Sequence, residues 1–275
     1  MDPYSEANRG LWEEWARIHA TSPEAARFYD LEAFKAGASK LRDDEVDEVG
    51  PVEGKDLLHL QCHIGLDTLS WARLGAHVTG VDFSPEAIRV ARGLAEELAI
   101  PATFVESDVL SLPEVLEGDF DVVYTSRGVV GWLPDLERWG EVIAHFLRPG
   151  GVFYITEGHP FMWVFEDEAE DLRPGDLRVR YHYFPRPEPL RFEVQGSYAD
   201  PTAAVEAPHE YSWQHSMGEI VTAIASAGLR IEFLHKLPFL EWPVPFLVER
   251  DGRWWLPEDA PGEIPLMYSL RATKP

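Results

Sequence analysis

The 275-residue sequence predicts an α/β fold built on a doubly wound, mostly parallel β-sheet. From residue 51 onward, short apolar runs that end in small residues alternate with amphipathic stretches, which is typical of βα units on a parallel sheet. The composition, 45% hydrophobic and 12% aromatic, is enough to bury a full core. Length alone allows one large domain or two small ones.

Five strands and three intervening helices are predicted in order. The strands are Asp56–Leu60, Ala76–Val81, Ala102–Val105, Phe120–Thr125 and Val152–Thr156, and the helices cover about 66–74, 85–98 and 135–147. Ser84 and Pro85 mark the start of the second helix, as an N-cap and a proline at the first helical position. Pro149-Gly150-Gly151 predicts a sharp turn into the fifth strand.

Residues 1–50 are predicted to form an N-terminal helical cap, and 51–275 the main domain. Leu11, Trp12, Trp15 and Ile18 recur at helical spacing, and the helical pattern runs from residue 8 to the acidic stretch Asp43-Asp44-Glu45. Aromatic residues at this spacing either belong to a core or wall a pocket.

Residues 160–215 interrupt the alternation and are predicted to be an insertion over the acceptor site. Their prolines and aromatic residues suggest a hairpin that pairs Arg178–Phe184 with Arg191–Tyr198. The βα pattern then returns. Its last elements are a helix at Ser216–Ala227 stopped by Gly228, a strand at Arg230–His235 and, after the loop Asp251–Pro265, a strand at Leu266–Ala272.

Charge and composition exclude several classes of function. A formal net charge of −24 with only five lysines opposes binding to a phosphate backbone, so no nucleic-acid partner is expected. No run is apolar enough to cross a membrane, and the N-terminus lacks the features of a signal peptide. We therefore expect a cytoplasmic protein, in which the single cysteine, Cys62, serves in packing.

The candidate ligand site lies in the first βα loop, Leu57–Gly65. In a doubly wound sheet, ligands bind beyond the carboxyl ends of the strands, where backbone N–H groups and a helix dipole are available. Asp82 follows the second strand about 20 positions later, where a carboxylate can accept hydrogen bonds from both hydroxyls of a ribose. This pair predicts a cofactor of the adenosine type.

Three further segments make the pattern more specific. Asp108, within Glu106–Val109, follows the third strand and can accept from an adenine amino group. The segment Asp119–Tyr124 reads as the fourth strand with an acidic lead-in, and Leu147–Gly151 closes the helix that follows it. Together these segments resemble the class I S-adenosylmethionine-dependent methyltransferases, over roughly residues 55–160 and the final strand-helix-strand unit.

Within that family the chain resembles a branch whose motif I reads Leu-Gln-Cys-His-x-Gly-Leu-Asp-Thr-Leu, here Leu60–Leu69. The resemblance implies a Rossmann-like, seven-stranded sheet with an antiparallel last strand. It also implies S-adenosyl-L-methionine as the cofactor and methyl transfer to an oxygen or nitrogen atom of a small molecule. The implied cofactor-binding residues are Gln61, His63, Gly65, Asp82, Phe83, Asp108, Val109 and Ser126.

Motif I departs from the usual Asp-x-Gly-x-Gly-x-Gly. Its acid is replaced by His59 and its first two glycines by Gln61 and His63, so that only Gly65 remains. Two roles stay open for His63, a hydrogen bond to the carboxylate of the cofactor or packing beneath the loop. For His59, inside a strand, we expect a structural role.

The acceptor is expected over the ends of the fourth and fifth strands. Three candidates for catalysis lie there: His159 as a base, Glu157 as an orienting carboxylate, and Arg127 as a cation for an anionic acceptor. The alternatives are that His159 is a turn residue and that Arg127 forms a surface ion pair. No metal is expected, because the histidines form no helical ligand pair.

Two other functions compete with methyl transfer. One is a protein that binds S-adenosylmethionine without transferase activity, in which the lost glycines reflect lost catalysis. The other is a nicotinamide-dependent oxidoreductase, against which the missing three-glycine fingerprint and the presence of Asp108 both count.

Overall fold

A computed structural model describes residues 1–207, 209–260 and 262–275. Its main feature is a seven-stranded sheet. In chain order, the strands of this sheet are β1 (Asp56–Leu60), β2 (His77–Asp82), β3 (Thr103–Glu106), β4 (Phe120–Thr125), β5 (Leu147–Gly158), β8 (Arg230–Leu237) and β12 (Met267–Thr273). Their spatial order is β3-β2-β1-β4-β5-β12-β8, and β12 is antiparallel to both of its neighbours. The predicted doubly wound fold with an antiparallel last strand is confirmed.

Helices cover both faces of this sheet because successive side chains of its strands point to opposite sides. In β1, Leu58 and Leu60 pack with the residues of α7 (Leu136–Phe146) and α8 (Met217–Ser226). Leu57 packs on the opposite face, with α4 (Asp43–Val49) and α5 (Leu66–Arg73). Helix α6 (Pro85–Glu97) begins as predicted at the Ser84 cap, whose side chain accepts from the Ala87 N–H.

The N-terminal segment is a chain of short helices, where the sequence pattern suggested continuous helix from residue 8 to 45. Before α4 come α1 (Pro3–Thr21), α2 (Pro23–Phe28) and α3 (Leu31–Lys35). Pro23 has no N–H to continue α1, and the Ser22 side chain caps α2 instead. The acidic stretch begins α4, where it complements the positive end of the helix dipole.

The predicted hairpin is wrong in its pairing. β6 (Leu190–Glu193) lies within the expected second strand, but it pairs with β7 (His209–Ser212) and not with residues 178–184. Val179 forms only an isolated bridge to Phe165. Alternating patterns on three segments do not specify which two will pair. Pro208, inside the predicted insertion, lies outside the described residues.

The predicted loop 251–265 contains a short strand. β11 (Arg253–Trp255) lies between β9 (Phe239–Leu240) and β10 (Val248–Arg250) in a three-stranded antiparallel sheet. Pro261, in the same predicted loop, lies outside the described residues. Across the described part of the chain, none of the helices combines the length and apolarity needed to span a bilayer.

Close packing of α7 on α8 yields a stability prediction. A Cβ added to Gly140 would lie 2.5 Å from the carbonyl oxygen of Ala223, so Gly140→Ala must push the two helices apart. We expect the free energy of unfolding to fall by about 1–3 kcal/mol. Gly93→Ala is the matched control, since Gly93 is exposed on α6 with open space around it and should gain about 0.5–1 kcal/mol. Urea unfolding followed by fluorescence measures both, and equal stabilities would contradict the packing argument.

Candidate active site

A cavity of about 1050 Å³ opens at the carboxyl ends of β1, β2 and β4. Ligand pockets commonly have about 300–1,000 Å³, so this cavity has room for a cofactor together with a small acceptor. All eight predicted cofactor-binding residues line it, so the fold brings together positions spread over 66 residues of sequence. They are Gln61, His63, Gly65, Asp82, Phe83, Asp108, Val109 and Ser126.

The loop after β1 has an unusual backbone. Gln61 (φ 58°), His63 (φ 51°) and Gly65 (φ 81°) all adopt the left-handed conformation. The left-handed conformation costs a residue with a Cβ about 1–2 kcal/mol, whereas glycine adopts it without this steric cost. Only at Gly65 would a Cβ also collide with its surroundings, at 2.9 Å from Ala91 and from the ring of Phe104. The loop thus holds two residues other than glycine in the left-handed conformation.

Asp82, at the end of β2, holds this loop. One oxygen of its buried carboxylate accepts from the backbone N–H of His63 at 2.8 Å, and the other accepts from that of Ser84 at 2.9 Å. Burial raises the pKa of Asp82 to about 6, although the hydrogen bonds oppose that shift. Asp82 therefore fixes the loop and presents a carboxylate to the cavity.

The side chain of His63 points toward the N-terminal helices. Its Nε2 atom lies 3.0 Å from Nδ1 of His19 on α1, and the Tyr29 hydroxyl lies 3.2 Å from the same His19 nitrogen. Nε2 of His19 lies 3.2 Å from the Ser197 hydroxyl in the insertion. The imidazole of His63 therefore joins motif I to the cap and to the insertion, a role that sequence reasoning did not include.

Gln61 carries an unsatisfied polar atom at the cavity. Its Nε2 donates to the carbonyl oxygen of Val129 at 3.2 Å. Its Oε1 atom is buried and has no hydrogen-bond partner among the described residues. A buried acceptor of this kind needs a donor, and the amino group of S-adenosylmethionine is one. The residues present thus fit the predicted cofactor.

Ser126 and Asp108 lie at the same end of the sheet. The Ser126 hydroxyl lies 3.1 Å from Nε2 of His59, whose Nδ1 atom lies 2.8 Å from the Thr68 hydroxyl. Burial, followed by the charge of Arg127, lowers the pKa of His59 to about 3, so the ring is neutral. One oxygen of Asp108 accepts from the Leu110 N–H at 3.0 Å, at the start of a short 3₁₀ helix.

Arg127 is neither a free cation nor a surface ion pair. It is contacted by the carboxylates of Glu45 on α4, Asp67 on α5 and Glu241. Burial by itself would lower the pKa of Arg127, but these carboxylates raise it well above the ordinary value. Glu45 is fully buried and also accepts from the Tyr124 hydroxyl. With three anionic partners, Arg127 provides no reason to expect an anionic acceptor.

The structure does not bring Glu157 and His159 to the cavity, whose lining within the described residues lacks both. The carboxylate of Glu157 accepts backbone N–H bonds from Gly128 (2.7 Å), Val129 (2.7 Å) and Val130 (3.1 Å), so it folds the loop after β4. The Nδ1 atom of His159 accepts from the Phe161 N–H at 3.1 Å. Both contacts are structural, and the base and the orienting carboxylate stay predictions.

Some side chains of the cavity, such as Asp2, Asp135 and Glu241, were not assigned to it from the sequence, because they come from distant segments. Acidic side chains outnumber basic ones in the lining by eight to two. The acids are Asp2, Asp67, Asp82, Asp108, Asp135, Asp167, Glu210 and Glu241, and the bases are Lys40 and Arg127. Five tryptophans also line it: Trp12, Trp15, Trp132, Trp163 and Trp242. Within the described residues, no group of three or more His, Cys, Asp or Glu side chains is arranged to hold a metal ion.

A seven-stranded sheet with an antiparallel last strand, and an acid after β2 that faces the loop after β1, define the class I S-adenosylmethionine-dependent methyltransferases. The chain shares this sheet and this acid with that class and is similar to its members in sequence and in fold. Residues 57–151 match the family model described as a methyltransferase domain.

Two curated relatives are ubiquinone biosynthesis O-methyltransferases. The protein from Photorhabdus laumondii is 33% identical over 137 residues, which cover 48% of this chain and 57% of the relative. The protein from Albidiferax ferrireducens is 35% identical over 146 residues, covering 51% and 58%. The matched region thus spans somewhat more than half of the length of these relatives.

Solved structures share the fold at low sequence identity. A methyltransferase from Mesorhizobium loti has a TM-score of 0.57 and 19% identity, covering 87% of this chain and 100% of its own. The glycopeptide N-methyltransferase MtfA, solved with S-adenosylmethionine, has a TM-score of 0.53 and 17% identity, covering 84% and 92%.

Asp82→Asn tests the cofactor site. The amide keeps the size of the side chain but loses the charge that would accept hydrogen bonds from ribose hydroxyls. We expect S-adenosylmethionine to bind more weakly by about 1–3 kcal/mol in calorimetry. Asp47→Asn, at an exposed position of α4, is the control and should bind as the wild type does. Unchanged affinity in Asp82→Asn would refute the ribose role.

The His19–His63 pair predicts a pH dependence of stability. Burial lowers the pKa of His19 to about 2 and that of His63 to about 3, from an ordinary 6.5. Both rings are neutral when folded, whereas the unfolded chain takes up protons below pH 6.5. Their contribution is therefore complete above pH 6.5 and is lost as the pH falls toward the folded values.

Urea unfolding at pH 7 and pH 5 measures this loss. We expect the double variant His19→Gln/His63→Gln to lose less stability than the wild type between these pH values, by about 1–3 kcal/mol. His182→Gln, which changes a histidine outside this pair, is the control. Parallel losses in the double variant and the wild type would contradict the assignment.

Proposed function

We propose that this chain transfers the methyl group of S-adenosylmethionine to an oxygen or nitrogen atom of a small molecule. The observation that carries the proposal is the cavity itself. It combines the cofactor loops with a second wall from the cap, the insertion and residues 241–244. A cofactor alone would not need this second wall, but a transferase must hold its acceptor beside the cofactor.

In the half of the cavity formed by the cofactor loops, different residues are placed to bind the nucleoside and the amino acid part of S-adenosylmethionine. Asp82 and Asp108 offer carboxylates to the ribose and the adenine, and Gln61 offers a free acceptor to the ammonium group. When bound, S-adenosylmethionine supplies a methyl group on a sulfonium, which is already a good leaving group. The protein then has to align the acceptor and exclude water.

Tryptophans provide this alignment in the proposed acceptor half. Trp12 packs edge-on against His63 with ring centroids 5.2 Å apart, and against Trp132 at the same 5.2 Å. Trp132 Nε1 donates to the Gly128 carbonyl oxygen at 2.7 Å, which ties it to the loop held by Glu157. These rigid aromatic walls exclude water from the reaction and limit the size of the acceptor.

The curated relatives favour an oxygen acceptor, since both are O-methyltransferases, while a structural neighbour is an N-methyltransferase. The expected anionic acceptor depended on a free Arg127, whose charge is already matched by three carboxylates. We therefore propose oxygen or nitrogen as the acceptor atom and no longer expect the acceptor to be an anion.

Binding of S-adenosylmethionine without turnover is the second candidate. The left-handed Gln61 and His63 favour it, because these residues place side chains where typical transferases have glycine. Calorimetry with S-adenosylmethionine and with NAD, followed by an assay for S-adenosylhomocysteine over a panel of phenols, amines and alcohols, separates the candidates. Binding of the first ligand with turnover supports the proposal. Binding without turnover across the panel supports the second candidate, and binding of NAD alone supports an oxidoreductase.

His159→Ala tests whether a base at the end of β5 takes part. Since His159 bonds to its own loop and does not line the cavity, we expect kcat to stay within about twofold of the wild type once an acceptor is known. The melting temperature should fall slightly, because the Phe161 N–H loses its partner. A drop in kcat of about a hundredfold with unchanged cofactor affinity would instead restore the base assigned from the sequence.

A further inference from the structure

One wall of the cavity carries negative charge and aromatic rings together. It consists of Asp167 and Glu210 from the insertion and of the stacked Trp163 and Trp242, all of which line the cavity, and we call it the acidic wall. None of these four residues belongs to the loops that hold the cofactor. The acidic wall is therefore available to the second molecule that the cavity can accommodate.

Glu210 has no compensating partner. It lies on β7, opposite Phe192 of β6, and lines the cavity. Among the residues that the structure describes, its carboxylate makes no hydrogen bond and no ion pair. Burial, then the charges of Asp167 and Glu168, raise the pKa of Glu210 to about 7. A carboxylate that lines the cavity without a cationic partner is stabilised in its charged form by a positive charge that enters the cavity.

Asp167 also lacks a basic partner. Its Oδ1 atom accepts from the Tyr181 hydroxyl at 3.5 Å, and no basic group in the described ranges lies within 4 Å of it. Arg180, the basic residue closest in sequence, pairs instead with Glu166 at 2.7 Å and Glu168 at 3.3 Å. Burial and the neighbouring Glu168 raise the pKa of Asp167 to about 6.

The aromatic part of the wall selects the kind of cation. Trp163 and Trp242 stack with their ring centroids 6.1 Å apart and their planes at 14°. Tryptophan faces attract organic ammonium and guanidinium groups, which keep an apolar surface, more than they attract a hydrated metal ion. Two carboxylates also fall short of the ligand set of a typical metal site.

The structure assigns to the acidic wall the recognition of an organic cation, so that the acceptor is a small molecule bearing an ammonium, quaternary ammonium or guanidinium group. Its carboxylates would pair with the charge while Trp163 and Trp242 contact the carbon substituents. The identity of this molecule as an acceptor rests on the proposed function, but the binding preference itself does not.

The test compares three probes of nearly equal shape. Choline carries a quaternary ammonium group, 3,3-dimethyl-1-butanol is its neutral carbon analogue, and 3,3-dimethylbutanoate is an anion. Binding to the full chain is followed by tryptophan fluorescence in the presence of S-adenosylhomocysteine. We expect choline to bind about tenfold more tightly than the neutral analogue, and the anion to bind weakest.

Charge-neutral variants assign the preference to the wall. In Glu210→Gln and in Asp167→Asn the ratio between choline and its neutral analogue should fall about threefold, and in the double variant it should approach one. Glu188→Gln is the matched control, because Glu188 is an exposed acid of the same insertion that does not line the cavity. It should keep the ratio of the wild type.

Three outcomes would overturn the assignment: equal binding of choline and its neutral analogue, tighter binding of the anion, or a choline preference that survives in the double variant. Calorimetry with S-adenosylmethionine accompanies each variant, and unchanged affinity shows that the fold and the cofactor loops are intact. If the wild type fails to bind S-adenosylmethionine, the proposed function falls, while the comparison of the three probes, repeated without S-adenosylhomocysteine, still decides the role of the wall.

Discussion

The hydrogen bond from the His63 N–H to the carboxylate of Asp82 is the interaction on which the site depends. It connects the end of β2 to the loop after β1 and stabilises His63 at a positive φ that costs about 1–2 kcal/mol. In that conformation the imidazole reaches His19 on α1. The same bond therefore shapes the cofactor loop and, through His63, determines where the N-terminal cap closes over it.

Buried carboxylates organise the rest of the carboxyl edge. Glu157 accepts the N–H groups of the loop after β4, and Glu45 joins α4 to Arg127 at the end of that strand. Removing one partner from a buried charged network typically costs about 3–5 kcal/mol. Glu157 and Glu45 thus serve the structure, whereas Asp167 and Glu210 line the cavity without an ion pair among the described residues.

Sequence reasoning was strong where the information is local or repeated. The βα alternation specified the strands, and the spacing from Gly65 to Asp82 and Asp108 specified residues that the fold brings to one cavity. Sequence reasoning was weak where it had to predict which distant residue would contact a particular side chain. Arg127 looked free in a chain of net charge −24, yet Glu45, Asp67 and Glu241, which are distant in sequence, surround it. The strand at 190–193 was located correctly but assigned the wrong partner.

By itself, the sequence determined the sheet, its order of elements and the edge at which the cavity opens, because hydrophobic periodicity and the geometry of parallel strands leave few alternatives. Only the tertiary structure decided that His63 bonds to the cap, that Glu157 and His159 support loops, and that Trp163, Trp242, Asp167 and Glu210 line one cavity. These outcomes depend on which distant side chains meet. Such meetings are fixed by how the cap and the insertion pack on the sheet, and no local pattern of residues encodes that packing.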